Sequence, residues 1–262
     1  MKIKEITRLL EDYASLQYQE SYDNCGLIVG NENIEVKGTL ITLDCTEEVI
    51  DEAIAEDCNL IIAHHPIIFN GLKKLNGSNY IERTVIKAIK NDLAIYAIHT
   101  NLDNVHNGVS ARIAERLGLE NCKVLAPNPN FQNQQVGLGI IGELKEPIKM
   151  SKFLIDIKNN MKTNCIRHTS LVKEEVKRVA VCGGSGSILL RNAKAADADI
   201  FISADFKYHD FFDAENDIVI ADIGHYESVQ FTKDLIYDLL VKNFTKFAVR
   251  LSKVNTNPIN YL

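Results

Sequence analysis

Short apolar runs alternate with stretches of helical spacing along almost the whole chain, and this alternation limits the fold more than any other feature. Thr39 to Leu43, Asn59 to Ala63 and Ala94 to Ile98 are mainly apolar runs of the kind buried on both faces of a sheet. Around them, Ile3, Ile6, Leu9, Leu10 and Tyr13, then Ile81, Val85, Ile86 and Ile89, then Val109, Ile113 and Leu117 recur with helical period. Thr46 is placed to cap a helix whose first turn carries Glu47 and Glu48. Gly118 is placed to close another. Short strands separated by helices imply βαβ units and a largely parallel sheet.

The pattern breaks once, at Ala126 to Gln135, where APNPNFQNQQ has the composition of a loop or linker. It then resumes with strands expected near 136–144, 178–182, 200–203, 218–222 and 247–251, and helices from about 151, over 188–195 and over 228–242. The expected class is α/β, with two similar lobes built on mixed, mostly parallel sheets and a metal site in the cleft between them. Residues 1–125 with about 222–262 would form a first lobe carrying most of the ligands, and 126–221 a second.

Composition enters as exclusion. A formal net charge of −6 gives no basic face for a nucleic-acid backbone. No stretch reaches the ~20 apolar residues of a membrane helix, and the chain enters an amphipathic pattern at Ile3 rather than a signal peptide. A cytoplasmic protein is expected. The six cysteines show no CxxC spacing and read as reduced core thiols, not as metal ligands.

The chemistry gathers in three loops, each directly after a buried-strand candidate, the end of an open α/β sheet where ligands bind. Ala63-His64-His65-Pro66 closes the first strand, and Pro66 prevents its continuation. Side chains alternate along an extended chain, so adjacent histidines would serve two neighbouring ions rather than chelate one. His99-Thr100-Asn101-Leu102-Asp103-Asn104 offers a histidine, as ligand or outer donor, and a carboxylate able to bridge two cations. Asp222-Ile223-Gly224-His225-Tyr226-Glu227 is the third. Four of the seven histidines fall in these loops, which favours a metal site over chance. Imidazole and carboxylate without thiolate suit zinc, manganese, iron or cobalt. Two further segments stand out. Cys182-Gly183-Gly184-Ser185-Gly186-Ser187 reads as a tight strand-to-helix turn or as backbone donors for an anion. Ser203 to Asp210 reads as a capped helix start, with His209 turned towards the same cleft.

Tyr22-Asp23-Asn24-Cys25-Gly26-Leu27, the His64-His65-Pro66 run, His99 to Asp103, the Cys182 to Gly186 turn, Ala204 to His209 and Gly224-His225, in this order, resemble the Nif-three-like family, whose bacterial members are named GTP cyclohydrolase I type 2 homologues or dinuclear-metal-centre hexameric proteins. The likeness runs from about residue 3 to 255 and fits the short form without an inserted domain. It implies two α/β lobes, a toroidal homohexamer, two divalent ions per chain, and His64, His65, Asp103 and His225 as ligands. The family's further glutamate, three or four residues after the last histidine, is missing: Ser228 and Val229 stand there. Glu227 replaces it only if the helix begins near Ser228; a helix beginning at His225 would turn Glu227 away.

Two such ions would deprotonate a water and polarise the bond to be cleaved, with His99 or Glu227 shuttling protons. The expected function is therefore a metal-dependent hydrolase acting on a small molecule such as a nucleotide, GTP cyclohydrolase by resemblance or a two-metal phosphoesterase. The alternative is a non-catalytic metal-binding, regulatory or adaptor protein.

Overall fold

The computed structural model describes residues 1–133, 135–245 and 247–262; Gln134, inside the expected linker, lies outside the described residues. In chain order the elements are α1 (Ile3–Tyr13), β1 (Gly26–Val29), β2 (Gly38–Thr42), α2 (Glu47–Ala55), β3 (Leu60–Ala63), α3 (Tyr80–Lys90), β4 (Ala94–Ala97), α4 (Thr100–Asp103), α5 (Val109–Arg116) and β5 (Glu120–Pro127). They continue with β6 (Gly137–Lys149), α6 (Met150–Asn160), β7 (Arg167–His168), β8 (Glu175–Ser185), α7 (Leu190–Ala195), β9 (Ile200–Ala204), β10 (Val219–Asp222), α8 (His225–Val229), α9 (Thr232–Asn243) and β11 (Ala248–Leu251). Thr46 caps α2 as expected, its side chain accepting from the Val49 amide. Gly118 follows α5 with φ +69°, the left-handed conformation a side chain disfavours.

The chain divides into two compact α/β units, Met1–Leu102 with Thr232–Pro258, and Asp103–Phe231 with Ile259–Leu262. This corrects the expected boundaries. The 126–135 segment is not a linker between units, because β5 runs through Pro127 and pairs with β6. Ile113, Ala114, Leu117 and Leu119 pack into the same core as Val179, Val181 and Ile200, so α5 belongs to the second unit. Asp103, His225 and Glu227 go with it, leaving His64, His65 and His99 in the first. The expected return of the chain end to the first unit holds for α9 and β11.

The first unit's sheet has the order β1-β4-β3-β2-β11, parallel except for β1. Its central strands are buried along their whole length, which is why they read as continuous apolar runs. The second sheet, β5-β6-β8-β9-β10-β7, departs from the mostly parallel expectation: three of its five pairings are antiparallel. The short β5–β6 connection forces one of them, since neighbours joined so tightly cannot run parallel. Alternate residues of β8 enter different cores, Val179 and Val181 on one face and Ala180 and Cys182 on the other. All six cysteines are free thiols, and burial pushes Cys45 and Cys182 up to about 12.

Candidate metal centre

Register explains how the first unit gathers its histidines. Ala63 at the end of β3 stands opposite Ala97 at the end of β4, so the residues after each strand emerge side by side. The same rung continues to Thr42 at the end of β2 and to Gly26 at the start of antiparallel β1. Four strands thus deliver Asp44, His64 with His65, His99 and Asp23 to one edge of one sheet.

There His64, His65 and His99 form a triangle, with ring centroids 4.8, 5.3 and 5.3 Å apart. One ligand atom from each lies within 4.8 Å of the others. His64 is buried and the other two are partly covered. The alternation that argued for adjacent histidines on opposite sides stops where the strand stops. The His64 and His65 amides still donate to Thr42 and Leu43 (3.2 and 2.9 Å), but beyond Ala63 the backbone bends and both rings join the same cluster.

Each ring is anchored through Nδ1. His64 Nδ1 meets the Ile98 carbonyl at 2.8 Å, His65 Nδ1 meets Asp44 at 2.8 Å, and His99 Nδ1 meets Asp23 at 2.9 Å. Thr256 in turn donates to Asp44 at 2.7 Å. Carboxylates and carbonyls behind Nδ1 fix the tautomer and orientation of metal-ligating histidines. With Nδ1 so engaged, Nε2 is the ring nitrogen each histidine could offer to a cation. The donor chemistry and the anchoring fit a divalent cation, although zinc–imidazole bonds of about 2.1 Å require the widest pair to draw in slightly to share one ion. Burial alone would raise Asp23, but the hydrogen bonds and charge from His99 and the Thr100 hydrogen bond outweigh it and hold the carboxyl well below its usual range. Cys25, donating to Asp23 at 3.1 Å, is pushed up to about 12 chiefly by burial and stays a thiol.

The second unit repeats the logic. Parallel β8, β9 and β10 end in register, with Ser185 opposite Ala204 and Ser203 opposite Asp222. Their ends place Gly184, Asp205 and His225 together. His225 Nδ1 meets Asp205 at 2.6 Å, and its ring lies so close to Gly184 that a Cβ there would stand 3.3 Å from Cε1. Gly184 also has φ +64°. Gly184→Ala is therefore expected to cost about 1–2 kcal/mol from the left-handed backbone alone and to displace His225. Thermal unfolding reads the first effect, and a crystal structure of the variant with the ring unmoved would refute the second.

The anion-cradle reading of this glycine turn is not favoured. The Gly183 amide donates to Ser110 (3.3 Å) and the Gly184 amide to Ser228 (2.9 Å), and both glycines lie in β8 rather than at a helix start. Helix α8 begins at His225, with Gly224 before it. Of the two starts left open by the sequence, this is the one that turns Glu227 away. The Glu227 side chain is buried over Gly224, where a Cβ would run into its carboxylate, and it is hydrogen-bonded with Tyr261. Val229 is buried, with its Cγ1 against Gly183 and Gly184, so apolar packing fills the position where a carboxylate was expected. Asp103 ends α4 and its charge is felt at Cys182. His209 is exposed beside Tyr208 and Phe212.

Sequence reasoning missed Asp23, Asp44 and Asp205 as the carboxylates behind the histidines. They lie 76, 21 and 20 residues away from their partners, and only strand order brings them close.

Comparison with known proteins agrees with this architecture. The family model described as Duf34/NIF3 (NGG1p interacting factor 3) matches residues 1–258. A protein of Clostridium acetobutylicum named GTP cyclohydrolase 1 type 2 homolog is 33% identical over 227 residues, 86% of this chain and 84% of that one. A Staphylococcus epidermidis protein of the same name is 26% identical over 366 residues covering both chains entirely, so it is the longer of the two. The crystal structure of a Staphylococcus aureus hypothetical protein superposes with a TM-score of 0.92 at 30% identity, over 100% of this chain and 99% of that one.

Proposed function

We propose, from the premise that this chain belongs to the Duf34/NIF3 family, that it binds divalent metal ions and uses them to hydrolyse a small molecule. The observation that carries this reading is the His64, His65 and His99 cluster with every Nδ1 anchored. In the first unit, these three histidines are the proposed ligands, with His99 moved from the proton-shuttle role to the metal. In the second unit, Asp103, His225 and Glu227 are the proposed donors, Glu227 reaching a cation only by turning away from Tyr261. Two ions per chain and a homohexamer belong to the same proposal.

A bound divalent ion would supply a water of lowered pKa and polarise the bond under attack. The chain's own part is to hold three neutral imidazoles in place and to keep Cys25 protonated nearby. The relatives' printed name makes GTP the first substrate to try. Metal-loaded protein is expected to retain divalent ions through gel filtration, to run as a hexamer, and to hydrolyse GTP or a generic phosphodiester. Retained metal without turnover of either would favour the non-catalytic, regulatory reading. Absence of retained metal would overturn the proposal.

A further inference from the structure

The turn before β1 and the loop after β3 carry two aromatic rings that have no role in the reading above. Tyr22 is 62% exposed and Phe69 42% exposed, yet the backbone beneath each is anchored. Ile67 is buried and Ile68 packs against the first unit's core, which holds the chain down as far as Phe69. The Asn24 side chain donates to the Ile68 carbonyl at 2.6 Å and ties that loop to the turn. The turn itself is closed by the Asp23 amide on the Glu20 carbonyl at 3.0 Å and by the Asn24 amide on the Asp23 carboxylate at 2.8 Å. Apolar residues scattered singly over a surface need no explanation, whereas adjoining ones point to a binding surface.

The Tyr22 and Phe69 ring centroids stand 6.1 Å apart at 43°. Phe69 lies 6.3 Å from His99 in a T-shaped arrangement, and His99 is 5.3 Å from both His64 and His65. The aromatic pair therefore borders the histidine cluster. Inserting a flat ring between two others takes two contact spacings of about 3.5 Å each. The pair is closer than that, so a ligand ring would lie across it rather than within it. Aromatic faces attract other flat rings, stacked or edge-on, and every nucleobase presents such a face. A sugar would need partners for its hydroxyls, and the Asp23 carboxylate and the Asn24 amide group are already hydrogen-bonded.

We infer that Tyr22 and Phe69 form a stacking platform that selects a substrate carrying a planar heteroaromatic ring, of the size of a purine, and holds it beside the histidine cluster. This deepens the hydrolase reading proposed above and rests on it for the reaction. Binding of the ring is a separate step, measurable without metal.

The test titrates full-length protein, chelator-treated and separately Zn²⁺-loaded, with two probes: inosine, a purine without phosphate, and ribose 5-phosphate, a phosphate without a base. Saturation-transfer NMR reads which ligand protons touch the protein. Wild type without metal is expected to bind inosine through its base protons and to bind ribose 5-phosphate more weakly. Phe69→Leu and Tyr22→Leu keep apolar bulk but lose the aromatic face. Each is expected to weaken inosine binding at least about fivefold, the low end of what one base-stacking ring contributes. Phe69→Trp restores a face and is expected to bind inosine at least as well as wild type. Phe212→Leu removes an exposed ring from the second unit and is expected to change nothing. Equal inosine binding by wild type and both leucine variants would overturn the inference. So would saturation transfer confined to the ribose protons of inosine on wild type, a result that needs no variant to fold. Wild type that retains no zinc would overturn the metal reading itself, whereas retained zinc with inosine binding indifferent to Tyr22 and Phe69 overturns this inference alone.

Discussion

His64→Ala is expected to weaken zinc binding by about a thousandfold or more, beyond the 10–100-fold that follows loss of an outer partner. His64 is the most enclosed of the three imidazoles, at 1% exposure, and its Nδ1 is tied to a backbone carbonyl rather than to a side chain that can relax. Water entering the space left by the ring would lack that support. Chelator competition measures the effect, and His209→Ala serves as reference because that exposed histidine lies outside the cluster. If His64→Ala and His209→Ala bound zinc equally, the histidine cluster would be excluded as the principal metal site.

The largest effect on stability is expected at Asp222. It is 4% exposed and closes β10 with three partners: the Arg167 guanidinium, the Phe206 amide and the Gly224 amide, the last two at 3.1 Å. Arg167 is about half exposed, so its charge survives the loss by returning to water. The two amides have no such recourse. Asp222→Ala should therefore cost about 2–4 kcal/mol, mainly through orphaned donors. At about 2–4 °C per kcal/mol for a chain of this size, that is roughly 5–15 °C in the unfolding midpoint. Asp222→Asn keeps one acceptor and should lose about half as much. An alanine variant melting with the wild type would show that these amides find other acceptors. The same substitution frees the Gly224 turn that introduces His225, so zinc affinity and stability should fall together.

How far the sequence foretells these sites follows from which interactions are local. The buried parallel strands announce themselves because a strand covered on both faces must be apolar throughout, as in Leu60 to Ala63 and Ile200 to Ala204. Antiparallel β5, β7 and the far end of β6 do not, since their exposed residues dilute the signal. The unit boundary was misplaced because APNPNFQNQQ has the composition of a linker, while the packing of Ile113 and Leu117 that decides the matter is long-range. The placement of His64, His65, His99 and His225 just beyond strand ends is legible from motif and strand position. Their anchoring aspartates are not, because Asp23 and His99 meet only after β1 pairs with β4. Glu227 and Val229 show the converse: the helix start at His225 decides where both side chains point, and sequence alone left that start open.

The pairing of β11 with β2 has a consequence for how the protein is made. The first unit's sheet takes its last strand from residues 248–251, after all of the second unit except Ile259–Leu262 has been synthesised. On the ribosome the segment bearing His64, His65 and His99 must wait with the β2 edge uncovered, while the uninterrupted stretch from Asp103 to Phe231 can fold at once. Waiting edges invite pairing with other chains. Chains halted shortly before β11 should thus contain a folded second unit and an aggregation-prone first one, and the histidine edge would be among the last parts of the molecule to become permanent.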